Sequence, residues 1–216
     1  GFGALLQAAF TAPGEGEGRS MRAAMWTRPA EGALAQFVPG VDVHALHEAR
    51  RQLRNALART HRDTLAALYA TDQARPYVPD AAGIAHRALM NLVLSYLLAS
   101  GDTDAVAYAE ARYAQADNMT DRLGALRTLV WSDQPAAQAA AERVLDAFYA
   151  RYQDQPLVVD QWLSTQALIP GAETLARVEA LTAHPAFDAR NPNKLRALLG
   201  AFAGQNPTSF HRPDGA

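Results

Sequence analysis

The chain contains no cysteine. Disulfide frameworks, thiolate nucleophiles, zinc fingers and iron–sulfur sites are therefore excluded, and the redox compartment stays open. Isoleucine and valine together number only 13 of 216 residues, too few for a large parallel sheet, whose buried strands read as Val/Ile-rich runs. There is no uninterrupted run of roughly 18 apolar residues, so no membrane-spanning segment is expected. Nor is there an excess of either charge: 20 basic residues face 22 acidic ones, for a formal net charge of −2. That balance argues against a nucleic-acid binder driven by counterion release and against a polybasic membrane-surface protein. Lysine is nearly absent as well, with 19 of the basic residues Arg and only Lys194 a Lys. Planar guanidinium forks suit carboxylate or phosphate recognition, but a GC-rich coding sequence raises Ala together with Arg and accounts for the set as a whole.

What is present is alanine and leucine, 47 and 25 residues. Both lose little side-chain freedom on entering a helix, and the punctuation agrees. Residues 2–12 read as a short helix, and Pro13-Gly14-Glu15-Gly16-Glu17-Gly18 as a flexible loop. Short helical patterns follow near 19–26 and 30–37. From Asp42 the text becomes helix, break, helix: 42–59, 61–71, 80–100, 103–115, 118–131, 134–152, 156–168, 172–182 and 192–203. In 80–100 the residues Ala85, Ala88, Leu89, Leu92, Val93, Tyr96 and Leu97 fall on one stripe. Asp80 is a candidate N-cap there and Gly101 a candidate C-terminal stop. Asn118 and Thr120 are assigned to capping, with Asp121 in the first turn where the helix dipole favours an acid. Asn191-Pro192 is an N-cap followed by proline at the first helical position, opening a helix with Leu195, Leu198, Leu199 and Phe202 inward.

Helix starts recur at about two per 35–40 residues, the spacing of a solenoid. The expected fold is all-α, a curved α-solenoid (superhelix) of short antiparallel helix pairs. It is read as one domain over 1–216, with a less regular lead-in over 1–40 and the helical array over 41–216. Gly1 is not preceded by a Met or a basic leader, and Asp214-Gly215-Ala216 stops in a turn. The chain thus reads as a piece cut from a larger protein.

Catalytic motifs are absent. The histidines are His44, His47, His61, His86, His184 and His211. The close pair reads His-Ala-Leu-His-Glu rather than the H-E-x-x-H of zinc peptidases, and no later acid is placed as a third ligand. Both are expected to be surface histidines. Asp102 and Asp104 lack the other positions of an EF-hand and are read as helix caps. There is no G-x-S-x-G, P-loop or G-x-G-x-x-G, and Gly14, Gly16 and Gly18 alternate with Glu, which repels phosphate. No catalytic and no metal-binding residue is assigned.

Three stretches carry a resemblance: Asn118-Met119-Thr120-Asp121, Leu157-Val158-Val159-Asp160-Gln161-Trp162, and the long block Asn191-Pro192-Asn193-Lys194-Leu195-Arg196-Ala197-Leu198-Leu199-Gly200-Ala201-Phe202-Ala203-Gly204-Gln205-Asn206-Pro207. Together they resemble the C-terminal helical domain of bacterial aminopeptidase N, a family of zinc-dependent metallopeptidases with a thermolysin-like catalytic domain. The match runs on through Phe210-His211 and Asp214-Gly215.

The resemblance implies that zinc, its ligands and the catalytic Glu belong to an upstream domain of the parent enzyme, with no cofactor in this chain. It implies a lid that encloses the active-site chamber, admits short peptides and shapes the far substrate subsites. The implied partners are the upstream catalytic domain and short peptide substrates, with no nucleic acid and no membrane. The implied location is the bacterial cytoplasm. It also implies substrate-binding roles for Arg196, which would meet the peptide beyond the scissile bond, and for Asn193 in the same region. The alternative is a free-standing α-solenoid that binds a protein or peptide with no enzymatic role.

Overall fold

The abundance of Ala and Leu is realised as helix. The computed structural model describes residues 17–72 and 75–212, and no strand occurs among them. The elements are α1 (Glu17–Trp26), α2 (Glu31–Ala35), α3 (Val43–Thr60), α4 (Arg62–Asp72), α5 (Ala81–Ser100), α6 (Ala105–Gln115), α7 (Met119–Val130), α8 (Pro135–Tyr152), α9 (Pro156–Ala167) and α10 (Thr174–Thr182). A continuous helical run follows, made of α11 (Pro192–Leu195), a π-helical turn (Arg196–Gly200) and α12 (Ala201–Gln205), and then α13 (Pro207–Phe210). The expected boundaries hold to within about two residues for most elements, the usual scatter at frayed ends. The exception at the start is the glycine-rich loop, since the helix already begins at Glu17. The short helix expected over 2–12 lies outside the described residues.

Two compact units divide the chain. One holds α1, most of α3, and α4 to α7; the other holds α2, the start of α3, and α8 onward. In the first unit α5 is the core. Its start is fixed by Asp80, whose side chain accepts the Gly83 N–H at 2.6 Å, and its end by Gly101 at φ 85°, a left-handed turn that glycine adopts without a Cβ clash. The expected stripe is too narrow. Ala88 is exposed, while His86, Met90, Leu94 and Leu98 are buried along with Leu89, Val93 and Leu97. The reason is that α1, α4, α6 and α7 all pack against this helix, so it is covered on several sides. Each fully buried Leu contributes about 2 kcal/mol relative to exposure. By length and composition α5 is also apolar enough to cross a membrane; here that apolarity fills the core. Trp26 closes one end, its ring edge-on to both Tyr96 and His61 at 5.2 Å, and its carbonyl accepts the Tyr96 hydroxyl at 2.9 Å.

In the second unit α9 packs against α8, α10 and the π turn. Trp162 donates its indole N–H to the Leu145 carbonyl at 3.0 Å, beside a core of Leu145, Phe148, Leu163, Leu198 and Phe202. Asn206 ties the end of the helical run to the end of α9, donating to the carbonyls of Ala167 at 3.0 Å and Ile169 at 2.9 Å. Those carbonyls lie at the C-terminus of α9, where intrahelical partners run out.

Two local readings need correction. Asp104 makes no side-chain cap; instead the buried Asp102 accepts the Asp104 N–H and pairs with Arg62 at 2.9 Å. Asn118 does cap α7, accepting the Asp121 N–H at 2.9 Å. Thr120 contributes its carbonyl, which receives Asn91 at 3.4 Å. Asp121 is drawn into an ion pair with Arg112 at 2.7 Å.

Candidate functional site

The segment carrying Asn193 and Arg196 is built locally. Asp188 opens it, accepting both the backbone N–H and the guanidinium Nε of Arg190. Those two donors, the backbone one first, hold the Asp188 carboxyl below the usual carboxylate range. Asn191 then caps the helical run, its side chain accepting the Asn193 N–H at 2.9 Å, and Pro192 supplies a preset φ where a missing N–H is harmless. Asn193 and Arg196 are both exposed, and among the described residues the Arg196 guanidinium makes no hydrogen bond or ion pair.

Between them Lys194 turns the opposite way. It is 8% exposed, and its ammonium lies 2.8 Å from Asp160 Oδ1 and donates to the Pro156 carbonyl at 2.9 Å. The chain's single lysine therefore fastens this segment to the first turn of α9. Neither Lys194 nor Asp160 stands out as a pair in the sequence, where they are 34 positions apart.

From Arg196 the helix widens. The Ala201 N–H reaches the Arg196 carbonyl, a span of five residues and so a π turn. This corrects the inward face expected for the run. Leu198 and Phe202 are buried, but Leu195 and Leu199 are 41% and 37% exposed. The extra residue breaks the 3.6-residue phase, and Lys194 takes the buried position one turn before Leu198. Arg196 is thereby flanked by two partly exposed leucines. Its aliphatic stem passes Gly200, where a Cβ would stand 3.7 Å from Arg196 Cβ.

The histidines are otherwise engaged. His44 Nε2 is 2.7 Å from the His211 carbonyl, and His47 Nδ1 is 2.9 Å from Glu31 Oε1. His61 is packed on Trp26, and His86 Nδ1 is 3.2 Å from Arg19 Nη1. His184 lies between Tyr149 and Trp162, its Nδ1 accepting the Ala186 N–H at 3.1 Å. No group of three His, Asp or Glu side chains able to hold a metal ion is found among the described residues. These residues do not fit a zinc centre.

The chain is 36% identical to aminopeptidase N of Caulobacter vibrioides and 34% identical to that of Escherichia coli, in each case over 91% of this chain and 22% of the relative. Aminopeptidase N of Haemophilus influenzae is 30% identical over 88% of this chain and 21% of its own length. The chain thus spans about a fifth of the length of the curated relatives it matches, and the part matched is their C-terminal domain. Among solved structures, Legionella pneumophila aminopeptidase A in complex with aspartic acid superimposes with a TM-score of 0.83 at 27% identity, over 95% of this chain and 24% of that one. The model of a family described as "Domain of unknown function (DUF3458_C) ARM repeats" matches residues 4–216. Armadillo repeats are a helical solenoid class, as the helix spacing predicts. The chain belongs to this family of ARM-repeat domains, and within it corresponds to the C-terminal domain of aminopeptidase N.

Proposed function

We propose that this chain is the C-terminal lid domain of a zinc-dependent bacterial aminopeptidase, and that it encloses the chamber in which short peptides lose single N-terminal residues. Zinc, its ligands and the catalytic base belong to the remainder of that parent protein, which supplies the chemistry. This domain supplies enclosure: it excludes folded proteins and bulk water and shapes the subsites beyond the scissile bond. Its partners are the catalytic domain of the same protein and the peptide substrate, in the bacterial cytoplasm.

The observation that carries this reading is the Arg196 guanidinium, exposed and unpaired among the described residues on a segment held by the Lys194–Asp160 pair. An exposed guanidinium on an anchored segment of this kind pairs with a peptide carbonyl or a C-terminal carboxylate through charge-assisted hydrogen bonds. Asn193, one turn earlier on the exposed side, offers an amide to the same peptide backbone.

The test compares two substrates in the whole parent enzyme. Arg196→Ala is expected to lower kcat/KM for tri- and tetrapeptides about tenfold, the loss of one charge-assisted contact, while an aminoacyl-arylamide is turned over nearly as before. Equal losses on both substrates would remove Arg196 from the peptide path. The isolated chain is expected to hydrolyse neither substrate; chelator-sensitive hydrolysis by it would overturn the division of labour. The sequence encoded upstream of Gly1 decides against the free-standing scaffold if it contains H-E-x-x-H with a distant Glu, and in its favour if it does not.

A further inference from the structure

The first unit contains a cavity that none of these roles uses. It measures about 350 Å³ and is lined by Tyr69, Tyr108, Ala111, Arg112, Asp117 and Asp121 among others, at the lower end of the range for small-molecule sites.

Part of the lining is aromatic. Tyr69 and Tyr108 are stacked at 5.4 Å with their planes 28° apart; Tyr69 is buried, while Tyr108 remains 36% exposed. The charged groups differ in how they are satisfied. Arg112 and Asp121 neutralise each other at 2.7 Å with side chains only 8% and 16% exposed, and Asn91 holds the same guanidinium through its Nε at 3.1 Å. Arg75 also borders the cavity, but it is engaged with a partner of its own and plays no part in the site. Asp117 is different. Its carboxylate is exposed, and among the described residues no cation pairs with it. Arg87 acts on it only through space, that guanidinium being bound to the Val78 carbonyl at 2.9 Å and laid over the Tyr77 ring.

The open positions on Asp117 select the ligand. Its Oδ1 accepts the Asn118 amide at 2.9 Å and its Oδ2 the Tyr77 N–H at 3.3 Å. These bonds, Asn118 first, hold the carboxyl below the usual carboxylate range and so keep it ionised. Each oxygen has two acceptor positions, which leaves one open on each. An anion is repelled by this carboxylate and a cation attracted. Two oxygens with one open position apiece match the parallel N–H bonds of a guanidinium better than the single point of an ammonium. A planar guanidinium also stacks on an aromatic face, which the accessible Tyr108 ring provides.

We infer that this cavity binds an arginine side chain, its guanidinium forked onto Asp117 and stacked on Tyr108, with its aliphatic stem against Ala111 and Ala116. The inference is independent of the lid reading and of Arg196, since every group it uses lies in the first unit. Such a site anchors an arginine-bearing ligand on the domain and takes no part in hydrolysis.

The experiment is an NMR titration of the ¹⁵N-labelled chain with N-acetyl-L-arginine amide, its uncharged citrulline counterpart and N-acetyl-L-lysine amide. The arginine compound is expected to give saturable shifts confined to Tyr69 and residues 75–80 and 108–121. Loss of the charge in the citrulline compound, and of the fork in the lysine compound, should each weaken binding about tenfold or more. Free L-arginine, run alongside, separates the two sources of this side chain: tighter binding of the blocked compound assigns it to a peptide, tighter binding of the free one to the amino acid. Asp117→Asn should weaken the arginine compound about tenfold with an unchanged melting temperature, since Asn keeps an oxygen to accept the Tyr77 N–H. Arg75→Gln should leave its binding unweakened. No saturable shift with either arginine compound, citrulline or lysine binding as tightly, unaltered binding in Asp117→Asn, or weaker binding in Arg75→Gln would overturn the assignment.

Discussion

Lys194 and Asp160 meet at 2.8 Å with side chains only 10% and 13% exposed, and this pair fixes the segment that presents Arg196. Removing one partner leaves the other charge poorly solvated. Lys194→Met is therefore expected to destabilise the chain by about 3 kcal/mol, read as a lower urea midpoint at constant slope. Lys194→Met combined with Asp160→Leu should recover most of the loss, because no unpaired charge remains. A double variant as unstable as the single one would show that the ammonium's bond to Pro156, rather than the charge pair, carries the effect.

Two glycines are expected to respond oppositely to the same substitution. A Cβ at Gly83 would stand 2.2 Å from the Val78 carbonyl, which also accepts Arg87 Nη1 at 2.9 Å. Gly83→Ala should cost about 2 kcal/mol, as forced overpacking does. At Gly204, inside α12, an added methyl meets nothing within 4 Å, so Gly204→Ala should stabilise by about 0.5 kcal/mol through lower unfolded-chain entropy. Thermal melts of both variants check the signs.

Asp42 predicts an acid-side effect at the start of α3. Its carboxylate accepts the N–H of Ala45 at 3.0 Å and of His44 at 2.9 Å. These bonds, Ala45 first, lower its pKa from the ordinary 3.8. A lowered folded-state pKa means that the unfolded chain takes up the proton first. The contribution is thus fully present above the unfolded value and is lost as the pH falls through the folded one. Asp42→Asn should flatten stability against pH below about pH 4 and leave the slope above pH 6 unchanged. A pH series of melting temperatures for both proteins measures this, and identical acid slopes would contradict it.

Zinc should leave the isolated chain unaffected. His44 and His47 are held by a carbonyl and by Glu31 respectively, and no three-ligand group exists among the described residues. Melting temperatures with and without zinc, and with a chelator, are expected to coincide; a zinc-dependent rise would reveal a centre.

Much of the fold was legible because its signals are local. Asp80, Asn118 and Asn191 each cap the helix that follows them, and Gly101 ends α5, through bonds to residues no more than three positions away. The exposed state of Leu195 and Leu199 was not legible, since it depends on a π turn that no residue type announces. The same holds for the all-round burial of α5, which reflects how many neighbours it acquires rather than its own period. At the candidate site Asn193 and Arg196 were visible only through family resemblance, while their support, Lys194 on Asp160, is a long-range pair hidden until the chain is folded. The cavity beside Tyr108 combines side chains from three segments and had no signature in any one of them.

The π turn acts as one surplus residue in a helix pinned at both ends. Asn191 clamps the beginning and Asn206 the finish. Deleting a single residue between Arg196 and Gly200 would let four residues close the turn that five close now, returning the run to ordinary winding with the residues after it still in phase. Asn206 would keep its reach to the carbonyls of Ala167 and Ile169, and Phe202 its place in the core. The widened turn therefore acts as local slack: a change of one residue in its length falls on the exposed face of Leu195, Arg196 and Leu199 and is not passed on to the anchored ends.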